Sequence, residues 1–323
     1  MEIGSDFNLK IKEEKNLFFV SGRCAIKNIL NNLIRNNEKC LIPNYLCDSI
    51  FKCFKNYDFY NIDNNLNINL IYLKNIIEKY QYKLIFIINY FGKIDDNIDV
   101  IKKICIEKNI IIVEDFTHNL YSNNLYGDIS ICSYRKSLET PFGSIVIDNN
   151  NLLEKNQTSY FNFKYLFYNI LKINGMFLKN IKYLKFIWHP ILKYCENNLN
   201  SINYDGFDYI NYIFYKYYYD INNKYIRIEN FKYLNKKLKY KSMLKNEKLY
   251  FSYPILFETI EERNNFKQIC IKNKLYFPIY WPLDFDKEHE CNHYISNHIL
   301  CIPIDQRYNK SHMNYIIDLI NNL

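Results

Sequence analysis

The sequence predicts an α/β protein built on a mostly parallel β-sheet, followed by a second and smaller α/β domain. Short apolar runs with the length of buried strands alternate with stretches whose apolar residues recur at helical spacing. The chain has 323 residues, which is long for one compact domain and fits two. We expect an N-terminal arm at residues 1–15, a large domain at 16–222 and a small C-terminal domain at 223–323.

The first half of the chain supplies the predicted sheet. Apolar runs predict strands at 17–20, 40–43, 57–62, 84–88 and 110–113. Helical spacing predicts a first helix that begins near residue 25. It predicts three more helices at 45–54, 70–80 and 95–108. Short apolar strands that alternate with helices indicate a parallel sheet covered on both faces, and such sheets bind ligands at the carboxyl ends of their strands.

The second half begins with an aromatic region and continues with a new α/β pattern. Residues 150–222 carry many aromatic side chains at helical spacing, which predicts linking helices. After this region, the pattern predicts helices at 225–244, 259–273 and from 311, strands at 248–257 and 299–304, and an extended segment at 275–281.

Composition argues against several classes of protein. The ten cysteines have no paired spacing, which is typical of reduced thiols in a cytosolic protein. No signal-peptide segment and no uninterrupted apolar stretch of about 18 residues is visible, so we expect a cytoplasmic protein without a membrane partner. The net charge is +8, but the densest basic run, at 232–248, accompanies no nucleic-acid motif and favours a solvated helix face.

One stretch, residues 109–146, places chemically useful side chains after two successive apolar runs. Asp115 follows the first run, and His118 comes three residues later. The second run ends in Ser133, with Lys136 close behind it. An acid after one strand and a lysine after the next can hold an aldehyde cofactor such as pyridoxal phosphate.

Each of these residues also has a simpler interpretation. The carboxylate of Asp115 can cap a helix, bind a metal or pair with a cation such as a pyridinium nitrogen. No metal site is predicted, because Asp115 and His118 alone do not complete one. A lone histidine is more often structural, and Lys136 is one of many lysines. Burial after an apolar run would lower the pKa of Lys136 and favour the nucleophilic amine.

The segment Ser21-Gly22-Arg23 is a second candidate site. It stands between an apolar run and a helical pattern, where free backbone N–H groups meet the positive end of a helix. Such a position can bind an anion. Ser21 can equally serve as an N-cap, and the motif alone does not separate these two roles.

These residues lie in motifs that resemble the DegT/DnrJ/StrS family, the sugar aminotransferases of pyridoxal-phosphate fold type I. The motifs are SGRCAI, LIPNYLCDSI, NYFG, VEDFTH and GDISICSYRKSLETPFGSIVI, followed near the end by RIENFKYL, PIYWPL and ILCIPIDQRY. The chain is most similar to a branch with a compact S-x-R-K segment around the lysine. The resemblance implies an aspartate-aminotransferase-like fold, the cofactor pyridoxal 5'-phosphate and a homodimer with active sites at its interface.

The resemblance also assigns roles to residues. Lys136 matches the lysine that binds the aldehyde of the cofactor and then moves a proton as general base and acid. Asp115 matches the acid that faces the pyridine nitrogen, and His118 matches the residue that contacts the ring hydroxyl.

The phosphate and the ring faces have counterparts in the same resemblance. Ser21, Gly22 and Arg23, with the hydroxyl of Ser133, match the cradle of the cofactor phosphate. Tyr45 lies close to where the family places an aromatic side chain over the ring.

Two features depart from the family pattern. Pro141-Phe142-Gly143-Ser144 stands where the family has a glycine pair after the lysine. The region 150–222 shows no counterpart of the Asn-rich loop that reaches the neighbouring subunit.

The resemblance implies an aminotransferase that moves an amino group from an amino acid, by resemblance glutamate, to a keto sugar, free or nucleotide-linked, in surface-polysaccharide biosynthesis. Three alternatives stay open. They are a non-catalytic binding or scaffold protein of the same fold, a dehydrating relative of the kind that carries histidine in place of Lys136, and a basic nucleic-acid binder.

Overall fold

The chain folds around two β-sheets. The computed structural model describes residues 16–35, 37–154, 163–179, 181–199, 209–245, 248–282 and 293–323. The N-terminal arm predicted at 1–15 lies outside these ranges. Within them, seven strands form one sheet and two strands form the other.

The larger sheet contains seven strands, namely the five predicted in the first half and two that follow them along the chain. They are β1 (Asn16–Phe19), β2 (Cys40–Pro43), β3 (Tyr57–Tyr60), β4 (Leu84–Ile88), β5 (Ile111–Asp115), β6 (Ile129–Cys132) and β7 (Ser144–Asp148). Their order in space is β1-β7-β6-β5-β4-β2-β3. The strands from β6 to β3 pair in parallel, whereas β7 is antiparallel to β6 and to β1. The prediction of a mostly parallel sheet is therefore confirmed.

The helices between these strands follow the predicted pattern with two corrections. They are α1 (Gly22–Leu33), α2 (Asp48–Phe51), α3 (Leu70–Lys79) and α4 (Ile98–Glu107). The helix predicted at 45–54 shrinks to the single turn α2, because β3 begins at Tyr57 and the chain must turn before it. The helix predicted from residue 95 begins at Ile98, since the carboxylate of Asp95 instead accepts a hydrogen bond of 2.5 Å from the backbone N–H of Ile68.

The aromatic region after β7 forms helices, as predicted. They are α5 (Phe163–Leu178), α6 (Lys185–Leu199) and α7 (Tyr209–Tyr218). A Cβ atom at Gly175 of α5 would lie 3.0 Å from Cδ2 of Leu192 in α6, so this glycine allows a close approach. Lys172 of α5 also forms an ion pair with Glu196 of α6. We call α5, α6 and the turn between them the α5–α6 hairpin.

The remaining elements are α8 (Asn223–Lys237), β8 (Ser252–Leu256), α9 (Ile260–Lys272), α10 (His293–His298), β9 (Ile299–Pro303) and α11 (Lys310–Asn321). The strands β8 and β9 pair antiparallel in the smaller sheet. The helix predicted at 225–244 ends earlier, at Lys237, and the domain boundary predicted at residue 222 stays a prediction. No helix in the described ranges is long and apolar enough to cross a membrane.

Candidate active site

The predicted acid and lysine lie together at one edge of the larger sheet. Asp115 is the last residue of β5 and pairs in register with Ile131 of β6. Ser133 follows β6, and Lys136 ends the short 3₁₀ turn after it. Because β5 and β6 are parallel neighbours, their carboxyl ends bring these side chains to the same edge, where open α/β sheets bind ligands.

The carboxylate of Asp115 is buried and held by Thr117. Its Oδ1 accepts a hydrogen bond of 2.9 Å from the backbone N–H of Thr117. Burial raises the pKa of Asp115, while hydrogen bonds from Thr117 and the charge of Lys136 oppose this rise. Thr117 Oγ1 also accepts a hydrogen bond of 2.9 Å from the backbone N–H of Ser133. This threonine, which the sequence did not single out, therefore connects the acid with the serine.

The side chain of Lys136 lines a cleft of about 780 Å³ and is exposed there. Its Nζ lies 5.8 Å from the ring centroid of Trp281. Although the side chain has accessible surface, protein surrounds the ammonium group, and desolvation lowers the pKa of Lys136 against the opposing charge of Asp115. A lower pKa enlarges the fraction of neutral amine, which is the nucleophile that reacts with an aldehyde.

The ring of His118 lies in an aromatic stack and leaves one nitrogen free. It stacks on Phe251 with centroids 4.2 Å apart, and on Trp281 at 5.6 Å. Its Nδ1 accepts a hydrogen bond of 3.3 Å from the backbone N–H of Phe91, so the proton of the neutral ring is on Nε2. Buried Nε2 has no hydrogen-bond partner among the described residues. A ligand oxygen at this position would satisfy it.

The burial of His118 predicts that the stability of the folded chain depends on pH. Burial, with the charges of Lys136 and Arg227, holds the pKa of His118 well below its ordinary value of 6.5. Below pH 6.5, His118 binds a proton in the unfolded chain but stays neutral in the folded chain. The free energy of unfolding therefore falls as the pH falls. We therefore compare the free energy of unfolding in urea for the cofactor-free wild type and for His118→Asn. Between pH 6.5 and 5, the wild type should lose up to about 1.4 kcal/mol per pH unit more of this free energy than the variant does. Equal slopes for the two proteins would contradict this assignment.

The predicted phosphate cradle comes together at the start of α1. A Cβ atom at Gly22 would lie 3.3 Å from Cβ of Ser133, so the two residues are neighbours in space. Gly22 and Arg23 are the first residues of α1, whose opening N–H groups have no acceptor within the helix. The hydroxyl of Ser21 accepts a hydrogen bond of 3.3 Å from the backbone N–H of Cys24, which supports the N-cap interpretation of Ser21. The roles of all four residues toward phosphate stay predictions.

Tyr45 lies in an aromatic cluster beside the site. Its ring is fully buried, stacks on Tyr90 with centroids 5.4 Å apart and meets the edge of Trp281 at 5.3 Å. Its hydroxyl donates a hydrogen bond to the backbone oxygen of Tyr280. These contacts connect Tyr45 to Trp281, the ring that Lys136 approaches, and the placement of Tyr45 over a cofactor stays a prediction.

Glu114, the other acid of the pair, holds the loop between β5 and β6. Successive side chains of a strand point to opposite faces of the sheet, so the side chains of Glu114 and Asp115 have different neighbours. Burial raises the pKa of Glu114 and four hydrogen bonds oppose it. The four donors are Asn89 Nδ2 (2.8 Å), Ser130 Oγ (2.9 Å) and the backbone N–H groups of Tyr126 (2.9 Å) and Gly127 (3.1 Å).

Replacing Glu114 with glutamine should destabilise the fold. The amide presents N–H groups where donors already point, so at least one buried donor loses its acceptor. The expected loss is about 1–3 kcal/mol in the free energy of unfolding, measured with urea. Glu107→Gln, on an exposed position of α4, is the matched control and should change little. Equal effects of the two substitutions would show that the Glu114 network is unimportant.

The segment Pro141 to Ser144, which departs from the family pattern, leads from the lysine turn into β7. Gly143 has φ +121°, and a Cβ atom there would lie 2.1 Å from the hydroxyl oxygen of Tyr134, so only glycine fits. Its N–H donates a hydrogen bond of 2.9 Å to the backbone oxygen of Val20. Phe142 is fully buried. The backbone conformation at position 143 thus requires glycine, and Phe142 belongs to the core.

The cleft beside Lys136 has a surplus of positive charge. Its lining contains six cations and three acids, namely Arg135, Lys136, Lys172, Lys179, Arg227 and Arg307, and Glu139, Glu196 and Asp305. Glu196 accepts a hydrogen bond of 3.0 Å from Arg135 and also pairs with Lys172. A single carboxylate therefore serves two cations on this wall.

Arg227 connects α8 with the site. It is 2% exposed and donates hydrogen bonds to the backbone oxygen of Phe251 at 3.0 Å and to Gln306 Oε1 at 3.2 Å. Gln306 in turn donates to the backbone oxygen of Ser137 at 2.7 Å. Nε of Arg227 has no partner among the described residues. Arg227 thus supports Phe251, on which His118 stacks, and the residue after Lys136.

These residues fit pyridoxal phosphate. The unpartnered Nε2–H of His118 suits the ring hydroxyl, the buried carboxylate of Asp115 suits a protonated ring nitrogen, and Lys136 supplies an amine in an open cleft. In the described part of the chain, no three His, Cys, Asp or Glu side chains are grouped as a metal site would need.

Comparisons with known proteins agree with this geometry. Residues 50–139 match the model of the DegT/DnrJ/EryC1/StrS aminotransferase family. No curated protein matches the sequence.

Solved structures share the fold. A DegT DnrJ EryC1 StrS aminotransferase from Brucella abortus has a TM-score of 0.63 and 15% identity, covering 95% of this chain and 85% of that one. The structure of NtdA from Bacillus subtilis with bound cofactor PMP has a TM-score of 0.64 and 14% identity, and the match covers 95% of this chain and 72% of NtdA. Helicobacter pylori PseC, an aminotransferase involved in pseudoaminic acid biosynthesis, has a TM-score of 0.61 and 12% identity. The match covers 95% of this chain and 86% of PseC.

At these identities the structures establish the fold, and the family match adds the signature of the segment that carries Asp115, His118 and Lys136. The match over residues 50–139 agrees with the resemblance drawn from the motifs, and the aldehyde cofactor stays a prediction. The chain therefore has the fold of solved DegT/DnrJ/EryC1/StrS aminotransferases, and its residues 50–139 are similar to this family.

Proposed function

We propose that this aminotransferase moves an amino group from an amino-acid donor, with glutamate as the first candidate, to a keto sugar. One observation carries the proposal. Asp115, Lys136 and the free Nε2–H of His118 meet at the carboxyl edge of the sheet, beside a cleft large enough for a sugar substrate. The roles of individual residues in the reaction are part of this proposal.

Bound pyridoxal phosphate supplies an aldehyde and a ring that accepts electrons. Asp115 holds a proton at the ring nitrogen, because its buried carboxylate favours a cation beside it. Nε2 of His118 donates to the ring hydroxyl. Lys136 Nζ, with its lowered pKa, removes a proton from the α-carbon of the amino donor and returns one during the reaction with the acceptor.

The charge of the cleft supports anionic substrates. Arg135, Lys172, Arg227 and Arg307 line it, and only part of this charge is neutralised by Glu196 and Asp305. Carboxylate and phosphate are the groups that arginine binds most strongly. We therefore favour a dicarboxylic donor and a keto sugar that carries phosphate, as in a nucleotide-linked sugar, and surface-polysaccharide biosynthesis is the setting that we propose.

The assembly and compartment that we propose are a homodimer and the cytoplasm. The dimer is proposed by analogy with the family. Nine described cysteines are free thiols and eight of them are buried, which is typical of proteins kept in a reducing compartment.

A donor and acceptor screen tests the proposed function. Purified protein loaded with pyridoxal phosphate is mixed with single amino acids, and the visible absorption of the bound cofactor is followed. Glutamate should change the spectrum, and a nucleotide-linked keto sugar should restore it. If cofactor binds but no amino acid changes the spectrum, the chain is a non-catalytic binding protein and the proposal fails.

A further inference from the structure

The α5–α6 hairpin contributes a buried cation to the cleft beside Lys136. The side chain of Lys172 is 8% exposed and forms an ion pair with Glu196 of α6. Its Nζ also lies 4.1 Å from the ring centroid of Phe142. A buried ammonium group is costly unless neighbouring groups compensate its charge. The balance at Lys172 therefore depends on how many cations Glu196 has to serve.

Glu196 is shared with other cations. Its Oε1 accepts a hydrogen bond of 3.0 Å from Arg135, the residue before Lys136. Burial alone would raise the pKa of Glu196, but the neighbouring charges, which include that of Arg23, lower it. Three positive charges, on Arg23, Arg135 and Lys172, thus meet one negative charge and leave a net charge of +2. We call these four residues the Glu196 cluster.

A buried hydroxyl of the same cleft lacks a partner. Thr140 is 4% exposed and lines the cleft together with Arg135 and Lys172. Its Oγ1 forms no hydrogen bond to any residue that the structure describes. Such a group is rare in folded proteins, because its lost hydrogen bond to water is not replaced. An anion with several oxygens would satisfy both this hydroxyl and the surplus of positive charge.

The Glu196 cluster adjoins the predicted phosphate cradle. Arg23 belongs to both groups of residues. The ring of Phe142, which the cluster contacts, is followed by Gly143. The N–H of Gly143 donates a hydrogen bond of 2.9 Å to the backbone oxygen of Val20, which precedes the cradle residue Ser21. A phosphate group at the cradle would therefore lie in the positive field of the cluster.

We propose that Arg135, Lys172 and Thr140 form a phosphate subsite on the hairpin side of the cleft. A phosphate monoester carries a charge of about −1.5 to −2 at pH 7, which balances the Glu196 cluster, whereas a carboxylate would leave part of its charge uncompensated. The three terminal oxygens of a phosphate can accept hydrogen bonds from a guanidinium, an ammonium and a hydroxyl group together.

The source of this phosphate rests on the proposed function, in which two molecules carry one. They are the cofactor and a nucleotide-linked keto sugar. The position of the cluster beside the cradle favours the cofactor. In either case, the α5–α6 hairpin supplies a binding residue, Lys172, to the active site of its own chain.

Binding to the full, cofactor-free chain tests the subsite with two pairs of probes that differ in phosphate. One pair is pyridoxal 5'-phosphate and pyridoxal, and the other is UDP and uridine. Lys172→Met should weaken the binding of one phosphorylated probe by at least about tenfold, the loss typical of a charged hydrogen bond, and leave its unphosphorylated counterpart unchanged. A loss with pyridoxal phosphate assigns the subsite to the cofactor, and a loss with UDP assigns it to the acceptor.

Three further variants separate binding from folding. Thr140→Val removes only an unpaired hydroxyl, so it should weaken the same probe by about fivefold without lowering the temperature of thermal unfolding. Glu196→Gln removes a negative charge that repels phosphate, so it should strengthen binding. Lys193→Met removes the same charge as Lys172→Met from an exposed position on α6, and this matched control should leave every affinity unchanged.

Two results would overturn the proposal. The first is that both phosphorylated probes bind Lys172→Met as tightly as Lys193→Met. The second is that Glu196→Gln weakens phosphate binding as much as Lys172→Met does, because a purely structural network predicts the same sign for both changes. These readouts record binding and not transamination. A chain that transaminates but shows either result loses the subsite alone, and a chain that binds as predicted but fails the donor and acceptor screen loses the proposed function alone.

Discussion

Replacing Lys136 with alanine should lower kcat by at least about a thousandfold and remove the visible absorption of the bound cofactor. The reason is that Lys136 is the amine that lies in the cleft next to Asp115, and proton transfer by such a group contributes about 10²–10⁴-fold to rate. The measurement is a steady-state rate with glutamate and a keto acceptor, together with the absorption spectrum of protein loaded with cofactor.

Two comparisons make this result specific. Lys108→Ala removes an exposed lysine after α4 and should keep both rate and spectrum. A small primary amine added to Lys136→Ala should restore part of the rate, because it can carry the proton in place of the side chain. A Lys136→Ala protein that keeps its spectrum and more than a tenth of its rate would show that another residue is the base.

Replacing Asp115 with asparagine should lower kcat by about 10²–10³-fold while cofactor still binds. The change keeps the shape of the side chain and its contact with Thr117 but removes the charge that holds a proton at the ring nitrogen. Loss of one preorganised electrostatic group in a buried site typically costs this much in kcat. Rates and cofactor affinity measured on the same preparation separate chemistry from binding.

Asp58→Asn serves as a control, because Asp58 pairs with Lys39 in the same sheet, away from the predicted site residues. It should leave kcat close to the wild-type value. If Asp115→Asn keeps full activity, or if it fails only because cofactor no longer binds, then Asp115 does not act through the ring nitrogen.

The positions of the acid and the lysine were predictable because they depend on local patterns. Asp115 and Lys136 follow apolar runs that form β5 and β6, and parallel neighbours place their carboxyl ends together whatever the rest of the chain does. The order of the motifs then indicated the resemblance to the DegT/DnrJ/StrS family. Helix ends were less predictable, because they depend on distant partners. The carboxylate of Asp95 accepts a hydrogen bond from the backbone N–H of Ile68, 27 positions away in the chain, and α4 begins only after it.

The supporting residues could not be predicted, because their partners are distant in sequence. Phe251 stacks on His118 only after α8 and β8 fold beside the larger sheet, and Arg227 holds Phe251 through its backbone oxygen. Arg227 opens the motif RIENFKYL, but neither spacing nor composition indicates its contact with Phe251. Thr117 is closer to the site but is an ordinary residue of a turn, and only the hydrogen bond from Ser133 shows its role.

The measurement that tests the account most directly is reductive trapping of the cofactor. Protein loaded with pyridoxal phosphate is treated with borohydride, digested and examined by mass spectrometry. We expect one cofactor per chain, attached to Nζ of Lys136, and none in Lys136→Ala. A label on a different lysine, or a protein that takes up no cofactor at all, would contradict it.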